Sequence, residues 1–201
     1  MTTLIITGGA GFIGSELVGQ LLDSGHKVVV VDALTYSGRI ENIATYRDNS
    51  TFEFCEGSIY DAPLINSLIK IHKPKAIFNL AAETHVDRSI DLPNDFVTTN
   101  IVGTHTMLGE SLAYWNKLPD KDKHSFRFIQ VSTDEVYGSN EDGFATEEAP
   151  FKPNSPYAAS KAAGDHLVRA YQQTYHLPLS FVSHFCYTFV TDSYSDTYHQ
   201  L

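Results

Sequence analysis

The sequence predicts an α/β fold built on a doubly wound parallel β-sheet. Short apolar runs alternate along the chain with longer segments of helical period. A glycine-rich loop joins the first apolar run to the first helical segment, and polar residues follow several of the later runs. Strands that alternate with helices form right-handed βαβ units, and such units place the strands parallel. We therefore expect the strand order 3-2-1-4-5-6.

Six apolar runs are predicted to be strands, and five longer segments are predicted to be helices. The strand pattern falls on residues 4–7, 27–32, 51–55, 76–80, 126–131 and 179–182. The helical pattern falls on residues 12–22, 39–46, 61–71, 93–115 and 156–175. Asp61 is expected to cap the third helix, because a carboxylate there accepts a hydrogen bond from the first turn. Pro63 is compatible with the same turn.

The composition is that of an ordinary globular domain and excludes several classes of function. The 201 residues suffice for one full core, and the net charge of -10 provides no basic face for nucleic acid or an acidic membrane. No apolar run approaches the ~20 residues that span a bilayer, so we expect a cytoplasmic protein. Cys55 and Cys186 lack metal-type spacing, so we expect two free thiols and no metal.

The glycine-rich loop has the spacing of a dinucleotide-binding motif, with a strand before it and a helix after it. Glycine lets the backbone turn tightly and approach a pyrophosphate closely. The helix N-terminus then presents free N–H groups and a partial positive charge to the anion. The residues that we expect to bind a cofactor here are Gly8, Gly11, Phe12, Ile13 and Gly14.

Asp32 ends the second predicted strand, 18 residues beyond Gly14. A carboxylate at this position accepts hydrogen bonds from both hydroxyls of an adenosine ribose and repels a 2′-phosphate. The residue therefore favours NAD over NADP and indicates an NAD-binding Rossmann fold. A simple strand-end cap is the alternative interpretation of Asp32.

Residues after the second, third and fourth strands are expected to line the same cofactor site. They are Leu34, Thr35, Ser58, Ile59, Leu80, Ala81 and Ala82. The small side chains of Ala81 and Ala82 would let a cofactor pass close to the backbone. Packing of the next helix explains these two alanines nearly as well.

Two adjacent carboxylates, Asp134 and Glu135, follow the fifth strand and the hydroxyl residues Ser132 and Thr133. Ligands bind outside the carboxyl ends of the strands in open α/β sheets. The acid pair is therefore a candidate for proton transfer, with a polar surface turn as the alternative.

Tyr157 and Lys161 lie four residues apart in the last predicted helix and so share one helix face. A free phenol has a pKa of about 10 and is a poor base at neutral pH. A nearby ammonium, together with a nicotinamide cation, is expected to lower the pKa of Tyr157 toward the working range. The Tyr-x-x-x-Lys pattern alone is common on amphipathic helices, and its weight here comes from the glycine loop and Asp32.

These motifs together resemble those of the extended short-chain dehydrogenase/reductases, and most narrowly the dTDP-glucose 4,6-dehydratase family. The resemblance covers residues 2–182 and is carried by segments 7–14, 31–36, 80–89, 99–104, 132–138 and 157–161. It implies NAD as cofactor, dTDP-glucose or a related nucleotide sugar as substrate, and a lyase reaction. An epimerase of the same family acting on a nucleotide sugar is the alternative.

The resemblance also implies catalytic roles. Tyr157 takes the proton of the sugar C4 hydroxyl while NAD accepts the C4 hydride, and Lys161 holds the phenolate and the nicotinamide ribose. Thr133 hydrogen-bonds the O4 oxygen. Glu135 removes the C5 proton, and a protonated Asp134 donates its proton to the departing C6 hydroxyl before the hydride returns to C6.

Several neighbouring residues receive binding roles from the same resemblance. Thr84 and His85 are expected at the substrate, although His85 could equally tie a loop to the sheet. Ser132 and Thr99 are expected along the cofactor. The resemblance further implies a homodimer that joins helices 93–115 and 156–175 of two copies.

The sequence departs from the family pattern at two places. Ser58 stands where the family usually has an aspartate facing the adenine amine, so weaker adenine binding is expected. Residues 185–201 replace the family's Asn-Asn-Tyr-Gly-Pro segment and contain neither glycine nor proline. We therefore expect an NAD-binding domain over residues 1–184, an atypical tail over 185–201, and a largely absent C-terminal substrate domain.

The atypical tail divides the functional expectation. A truncated or frame-shifted product is the leading explanation, and a genuine short variant is the alternative. The chain is accordingly expected to be an impaired nucleotide-sugar dehydratase, or else a catalytically silent NAD-binding module.

Overall fold

Six parallel strands form a single sheet in the computed structural model, which describes residues 1–139, 146 and 148–184. The strands are β1 (Thr3–Thr7), β2 (Lys27–Asp32), β3 (Phe52–Glu56), β4 (Ala76–Asn79), β5 (Arg127–Thr133) and β6 (Leu179–His184). Their order is β3-β2-β1-β4-β5-β6, which confirms the predicted fold class and strand order. The predicted tail, residues 185–201, lies outside the described residues.

Helices cover both faces of the sheet. They are α1 (Phe12–Asp23), α2 (Ala62–His72), α3 (Val86–Asp91), α4 (Pro93–Phe96), α5 (Thr104–Trp115), α6 (Asp120–Lys123) and α7 (Pro156–Tyr175). Two single stretches of 3₁₀ helix follow β2 and β5, at Ile40–Tyr46 and Asp134–Tyr137. The Asp61 carboxylate accepts a hydrogen bond from the backbone N–H of Leu64 at 3.1 Å, which confirms its predicted role as the cap of α2.

The hydrophobic core has two halves, one on each side of the sheet. On one side Ile5 and Val29 contact apolar residues of α2, α5 and α7. On the other side Ile6 and Val30 contact residues of α1 and of the 3₁₀ segment Ile40–Tyr46. Side chains alternate along a strand, so a central strand buried on both faces is apolar throughout. Each such buried side chain stabilises the fold by about 1.5–3 kcal/mol.

The long helix predicted over residues 93–115 is present but irregular. A π-helical segment, Val97–Gly103, separates α4 from α5. Its Asn100 holds the loop after β4, since Asn100 Oδ1 accepts from the N–H of Glu83 at 2.9 Å and Asn100 Nδ2 donates to the Glu83 carbonyl at 2.9 Å. The same amide donates to Ser160 Oγ on α7 at 2.9 Å. Single π turns inside helices often mark functional sites.

The apolar and helical periodicity of the sequence did not predict α3, α6 or the 3₁₀ turn after β5. It also placed the ends of the fifth and sixth strands too early. The register explains the difference, because Ser132 pairs with Ser183 and Thr133 pairs with His184. Strand pairing thus extends through polar residues that a search for apolar runs excludes. Ser132 and Thr133 are therefore the last residues of β5.

None of the helices in the described parts of the chain is both long and apolar enough to cross a membrane. Within those same residues, no group of three His, Cys, Asp or Glu side chains is placed to hold a metal ion. Cys55 on β3 has a free thiol, whose pKa is raised by partial burial and by the nearby Glu53 and Asp61 carboxylates. Cys186 lies outside the described residues.

A buried row of polar side chains crosses three central strands near their carboxyl ends. Thr7 Oγ1 on β1 donates to Asn79 Oδ1 on β4 at 2.7 Å, and Asn79 Nδ2 donates to Gln130 Oε1 on β5 at 2.8 Å. Thr7 Oγ1 also accepts from the N–H of Ala81 at 3.2 Å. These bonds fix the relative register of the strands where the loops of the site begin.

We predict that Asn79→Ala lowers the free energy of unfolding by about 3 kcal/mol, because it leaves buried groups of Thr7 and Gln130 without a partner. Denaturant titration followed by circular dichroism measures this change. The control is Asn94→Ala, since Asn94 is exposed and should unfold at the wild-type denaturant concentration. A loss in Asn79→Ala no larger than in this control would contradict the structural role of the row.

Candidate active site

A cleft of about 700 Å³ opens at the carboxyl ends of the strands. It brings together most of the residues predicted for the cofactor, the substrate and the chemistry. Those that line it are Gly8, Gly11, Phe12, Ile13, Gly14, Asp32, Thr35, Ser58, Ile59, Leu80, Ala81, Ala82, Thr84, Thr99, Thr133, Asp134, Glu135, Tyr157 and Lys161. Three predicted residues, Leu34, His85 and Ser132, lie next to this lining but outside it.

The glycine loop leaves no room for side chains on its inner side. A Cβ atom on Gly14 would lie 2.1 Å from the carbonyl oxygen of Gly8. Gly8 itself has φ +70°, and a Cβ there would lie 2.7 Å from the backbone nitrogen of Ala81. The helix that follows begins without a side-chain cap, so its first N–H groups are open to an anionic ligand. The side chain of Phe12 is 92% exposed at this helix end.

Asp32 is buried at the end of β2 and serves two purposes. Its Oδ2 accepts from the N–H of Ala10 at 2.9 Å, and its Oδ1 accepts from the N–H of Leu34 at 2.9 Å. Leu34 adopts a left-handed backbone conformation with φ 49°, which turns the chain away from the strand. Each carboxylate oxygen can accept a further hydrogen bond. The residue is thus a strand-end cap and also part of the cleft wall.

The acid pair lies inside the cleft, at the beginning of the 3₁₀ turn after β5. Thr133 Oγ1 accepts from the N–H of Glu135 at 3.3 Å and lies 3.3 Å from Asp134 Oδ1, to which it can donate. Burial, and to a smaller extent the neighbouring Asp134 carboxylate, raises the pKa of Glu135. A carboxylate with a raised pKa is a stronger general base near neutral pH.

Tyr157 is 7% exposed, and the protein groups around it raise the pKa of its phenol. Burial raises the pKa of Tyr157 to about 12, with smaller contributions from Glu135, Asp134 and Tyr36. A hydrogen bond with Thr133 acts in the opposite direction. The groups of the protein thus shift this pKa opposite to our expectation, because desolvation and two carboxylates disfavour a phenolate.

Lys161 is buried one helical turn after Tyr157, and its ammonium group forms a hydrogen bond with the backbone. Lys161 Nζ donates to the carbonyl of Val131 at 2.6 Å. Burial lowers the pKa of Lys161, while the Asp165 carboxylate acts in the opposite direction.

Asp165 was missed by the sequence reasoning. It is 3% exposed, its Oδ2 accepts a short hydrogen bond from Ser132 Oγ, and its Oδ1 has no partner among the described residues. Burial raises the pKa of Asp165, and Ser132 and Lys161 act in the opposite direction. The contact turns Ser132 away from the cleft. A second step of four residues, from Lys161 to Asp165 along the same helix face, could have found this carboxylate.

Glu83 is another buried carboxylate that the sequence reasoning left without a role. It lines the cleft and is 7% exposed. Burial and the nearby Asp95 raise the pKa of Glu83, and Arg88 and Thr35 act in the opposite direction. The segment 80–89 was already conspicuous in the sequence, but no periodicity distinguishes an inward carboxylate from an outward one in a loop.

A family model described as GDP-mannose 4,6 dehydratase matches residues 5–193, which is most of the chain. The chain belongs to this dehydratase family. The match runs past residue 184, where the sequence analysis placed the end of the domain. Since the matched residues include all of the sheet except the first two residues of β1, and all of the residues that line the cleft, the family assignment applies to the site as well as to the fold.

Relatives of this family member include enzymes with a narrower name. The dTDP-glucose 4,6-dehydratase of Xanthomonas campestris strain B100 is 50% identical over 180 residues, which cover 89% of this chain and 51% of the relative. The dTDP-glucose 4,6-dehydratase 1 of Escherichia coli K12 is 45% identical over 186 residues, covering 87% of this chain and 52% of the relative. The chain thus spans about half the length of the curated relatives it matches.

Solved structures share the fold of this family member. A dTDP-glucose 4,6-dehydratase of Streptomyces venezuelae, crystallised with NAD, is 42% identical with a TM-score of 0.80 and covers 90% of this chain and 55% of its own. A UDP-glucose 4-epimerase of Thermotoga maritima, crystallised with UDP-glucose, is 33% identical with a TM-score of 0.77 and covers 89% and 54%. The overall fold therefore does not distinguish dehydratases from epimerases.

The raised pKa of Tyr157 predicts how stability changes in alkali. As the pH rises, the phenol ionises in the unfolded chain before it ionises in the folded protein. The stabilisation that comes from the neutral buried phenol is therefore fully present below about pH 10. It is lost as the pH approaches about 12, by about 2 kcal/mol in all. We expect Tyr157→Phe to remove this part of the decline in the free energy of unfolding. Tyr60→Phe, at a residue 48% exposed, should follow the wild type. Identical pH profiles for the wild type and Tyr157→Phe would contradict the prediction.

Proposed function

We propose that this chain carries the NAD-binding and catalytic half of a dTDP-glucose 4,6-dehydratase, with residues 1–184 as its cofactor-binding domain. The observation that carries this proposal is the position of Asp134 and Glu135 beside Tyr157 in one cleft. Elimination of water from a sugar needs a general acid and a general base in addition to the single base, Tyr157, that a plain dehydrogenation uses. Relatives of that name at 45–50% identity support the same choice.

The lining of the cleft fits NAD. The glycine loop offers backbone N–H groups and no obstructing Cβ atoms to a pyrophosphate, and Asp32 retains acceptor capacity for ribose hydroxyls. Thr35, Ser58 and Ile59 complete the wall at the ends of β2 and β3. Ser58 offers the adenine a hydroxyl where the family usually has a carboxylate, so we expect a weaker contact there. When bound, NAD supplies the acceptor for the C4 hydride and the donor of the hydride to C6.

The protein groups handle the protons of the oxidation. Tyr157, as the phenolate, accepts the proton of the C4 hydroxyl and becomes a neutral phenol, and the buried ammonium of Lys161 stabilises the phenolate before that transfer. A phenol with a pKa of about 12 is almost entirely protonated near neutral pH, so the positive charge of Lys161, and that of the nicotinamide when NAD is bound, is needed to form the phenolate. Thr133 forms a hydrogen bond with Tyr157 and orients the oxygen of the sugar C4 hydroxyl.

The acid pair handles the protons of the elimination. The C4 ketone acidifies the C5 proton, which Glu135 removes; its raised pKa suits it to this step. Asp134 gives a proton to the C6 hydroxyl, which leaves as water. The hydride then returns to C6 while Glu135 gives its proton back to C5, so the product is a 4-keto-6-deoxy sugar in which the C6 hydroxyl has been replaced by hydrogen.

The resemblance and the exposed surface also support a homodimer in the cytoplasm. Val97 and Val102 on the π-helical segment are each 48% exposed, which gives the helix pair α5 and α7 an apolar margin. Apolar residues exposed side by side favour association. A dimer would join these helices of two copies.

We predict that the 201-residue chain binds NAD and forms a 4-keto-6-deoxy sugar from dTDP-glucose, more slowly than a full-length relative because it spans about half of that length. Glu135→Gln should reduce product formation about a thousandfold, because a general base contributes about 10²–10⁴ to the rate. It should leave the dissociation constant of NAD unchanged, and reduced nicotinamide should accumulate because the hydride cannot return to C6. Calorimetry measures the binding, and absorbance follows the reduced nicotinamide.

Glu41→Gln is the matched control, since Glu41 is exposed and lies outside the cleft. Binding of NAD without turnover in the wild type would make the chain a silent NAD-binding module. Full turnover by Asp134→Asn with a UDP-sugar would indicate an epimerase. Absence of NAD binding would overturn the whole proposal.

A further inference from the structure

Tyr36 joins two loops that both contribute residues to the lining of the cleft. Its phenolic oxygen accepts from the backbone N–H of Thr84 at 3.0 Å and from that of His85 at 2.9 Å. It also lies 3.3 Å from Thr84 Oγ1. Tyr36 belongs to the loop after β2, and Thr84 and His85 belong to the loop after β4. One hydroxyl group thus bridges segments 48 residues apart in sequence.

The ring of Tyr36 is held as well as its oxygen. The guanidinium carbon of Arg88 lies 4.3 Å from the ring centroid, and the imidazole of His85 meets the ring edge-on at 6.4 Å. A cation over an aromatic face contributes about 0.5–1 kcal/mol at an exposed site. The contact therefore fixes the direction of the phenol without enclosing it.

The two loops differ in how firmly the rest of the protein holds them. The loop after β4 is anchored by Asn100, which bonds both the N–H and the carbonyl of Glu83. In the loop after β2, the next backbone hydrogen bonds on either side of Tyr36 are those of Leu34 and Arg39. Among the described residues, Thr35–Gly38 form no backbone hydrogen bond to another part of the chain. Tyr36 tethers this segment to the loop after β4, beside the contact of the Thr35 side chain with Glu83.

Both loops line the proposed cofactor cleft. Thr35 and Ser37 of the loop after β2 belong to the lining, and so do Ala82 and Thr84 of the loop after β4. The bridge from Tyr36 to Thr84 therefore connects the two walls between which a dinucleotide would have to pass. Movement of the loop after β2 would widen the cleft only after the bridge had broken.

We propose that Tyr36 is a positioning residue that fastens the two walls of the cleft and slows the release of a bound dinucleotide. This inference rests on the proposed function. In that reaction the hydride taken from C4 is returned to C6 of the same sugar, so the cofactor has no need to leave between turnovers. Escape halfway would leave an oxidised sugar that could not be completed. A fastened cleft suits this cycle better than one that exchanges its cofactor at every turnover.

The test is the dissociation rate of labelled NAD from the 201-residue chain. It is measured by rapid mixing of the complex with an excess of unlabelled NAD. Tyr36→Phe keeps the ring beneath Arg88 but removes the oxygen that accepts the two N–H groups. We expect it to raise the dissociation rate about tenfold, as the loss of hydrogen bonds of ordinary strength implies. The association rate should change less than twofold, and the unfolding midpoint should stay at the wild-type value.

Tyr175→Phe is the matched control, because Tyr175 is 48% exposed at the end of α7, far from this bridge in the sequence. Arg88→Met is a second variant, for which we expect a rise of about threefold from the loss of the cation–π contact. Wild-type dissociation rates in both Tyr36→Phe and Arg88→Met would overturn the inference while leaving NAD binding intact. A wild-type chain that binds no NAD would instead overturn the proposed function on which the inference rests.

Discussion

The buried polar row of Thr7, Asn79 and Gln130 is the interaction on which the site depends. Parallel strands bring their carboxyl ends to the same edge of a sheet, but strand pairing alone does not make one register unique in the apolar interior. The row ties three neighbouring strands at the level where their loops begin. Because an unpaired amide costs free energy in the interior, the row is satisfied in one register only. The glycine loop, the loop after β4 and the acid pair are all positioned from that level.

The central strands and long helices could be predicted because each has a strong local pattern. The apolar runs of β1 and β2 and the helical period of α7 reflect burial, and burial is visible in a sequence. The polar ends of β5 and β6 could not be found in this way. Ser132 and Thr133 are strand residues because they pair with Ser183 and His184 on β6. That pairing is a long-range contact. The π-helical turn at Asn100 likewise depends on contacts with Glu83 and Ser160.

The candidate site also contains some residues that a local sequence pattern identifies and others whose properties depend on long-range contacts. Asp32 and the glycines could be assigned from spacing, since backbone geometry alone requires them. The charge states could not be predicted, because they depend on what surrounds each group. The sequence placed Lys161 near Tyr157 and suggested a lowered phenol pKa. In the structure the ammonium is bonded to the Val131 carbonyl, and the carboxylates beside Tyr157 act in the opposite direction. Asp165 and Glu83 escaped notice because a buried carboxylate and an exposed one have the same letter in a sequence.

The crowding at Gly8 and Gly14 has a consequence for how enzymes of this fold diversify. A methyl group on Gly14 would collide with a main-chain oxygen, and the collision involves no side chain that a second substitution could move. Only glycine therefore fits at these two positions, and substitutions there cannot give rise to new functions. The solved dehydratase and epimerase differ in name while sharing the fold with this chain at TM-scores of 0.80 and 0.77. A protein engineer seeking a new reaction would leave the glycines untouched and randomise the four positions from Ser132 to Glu135.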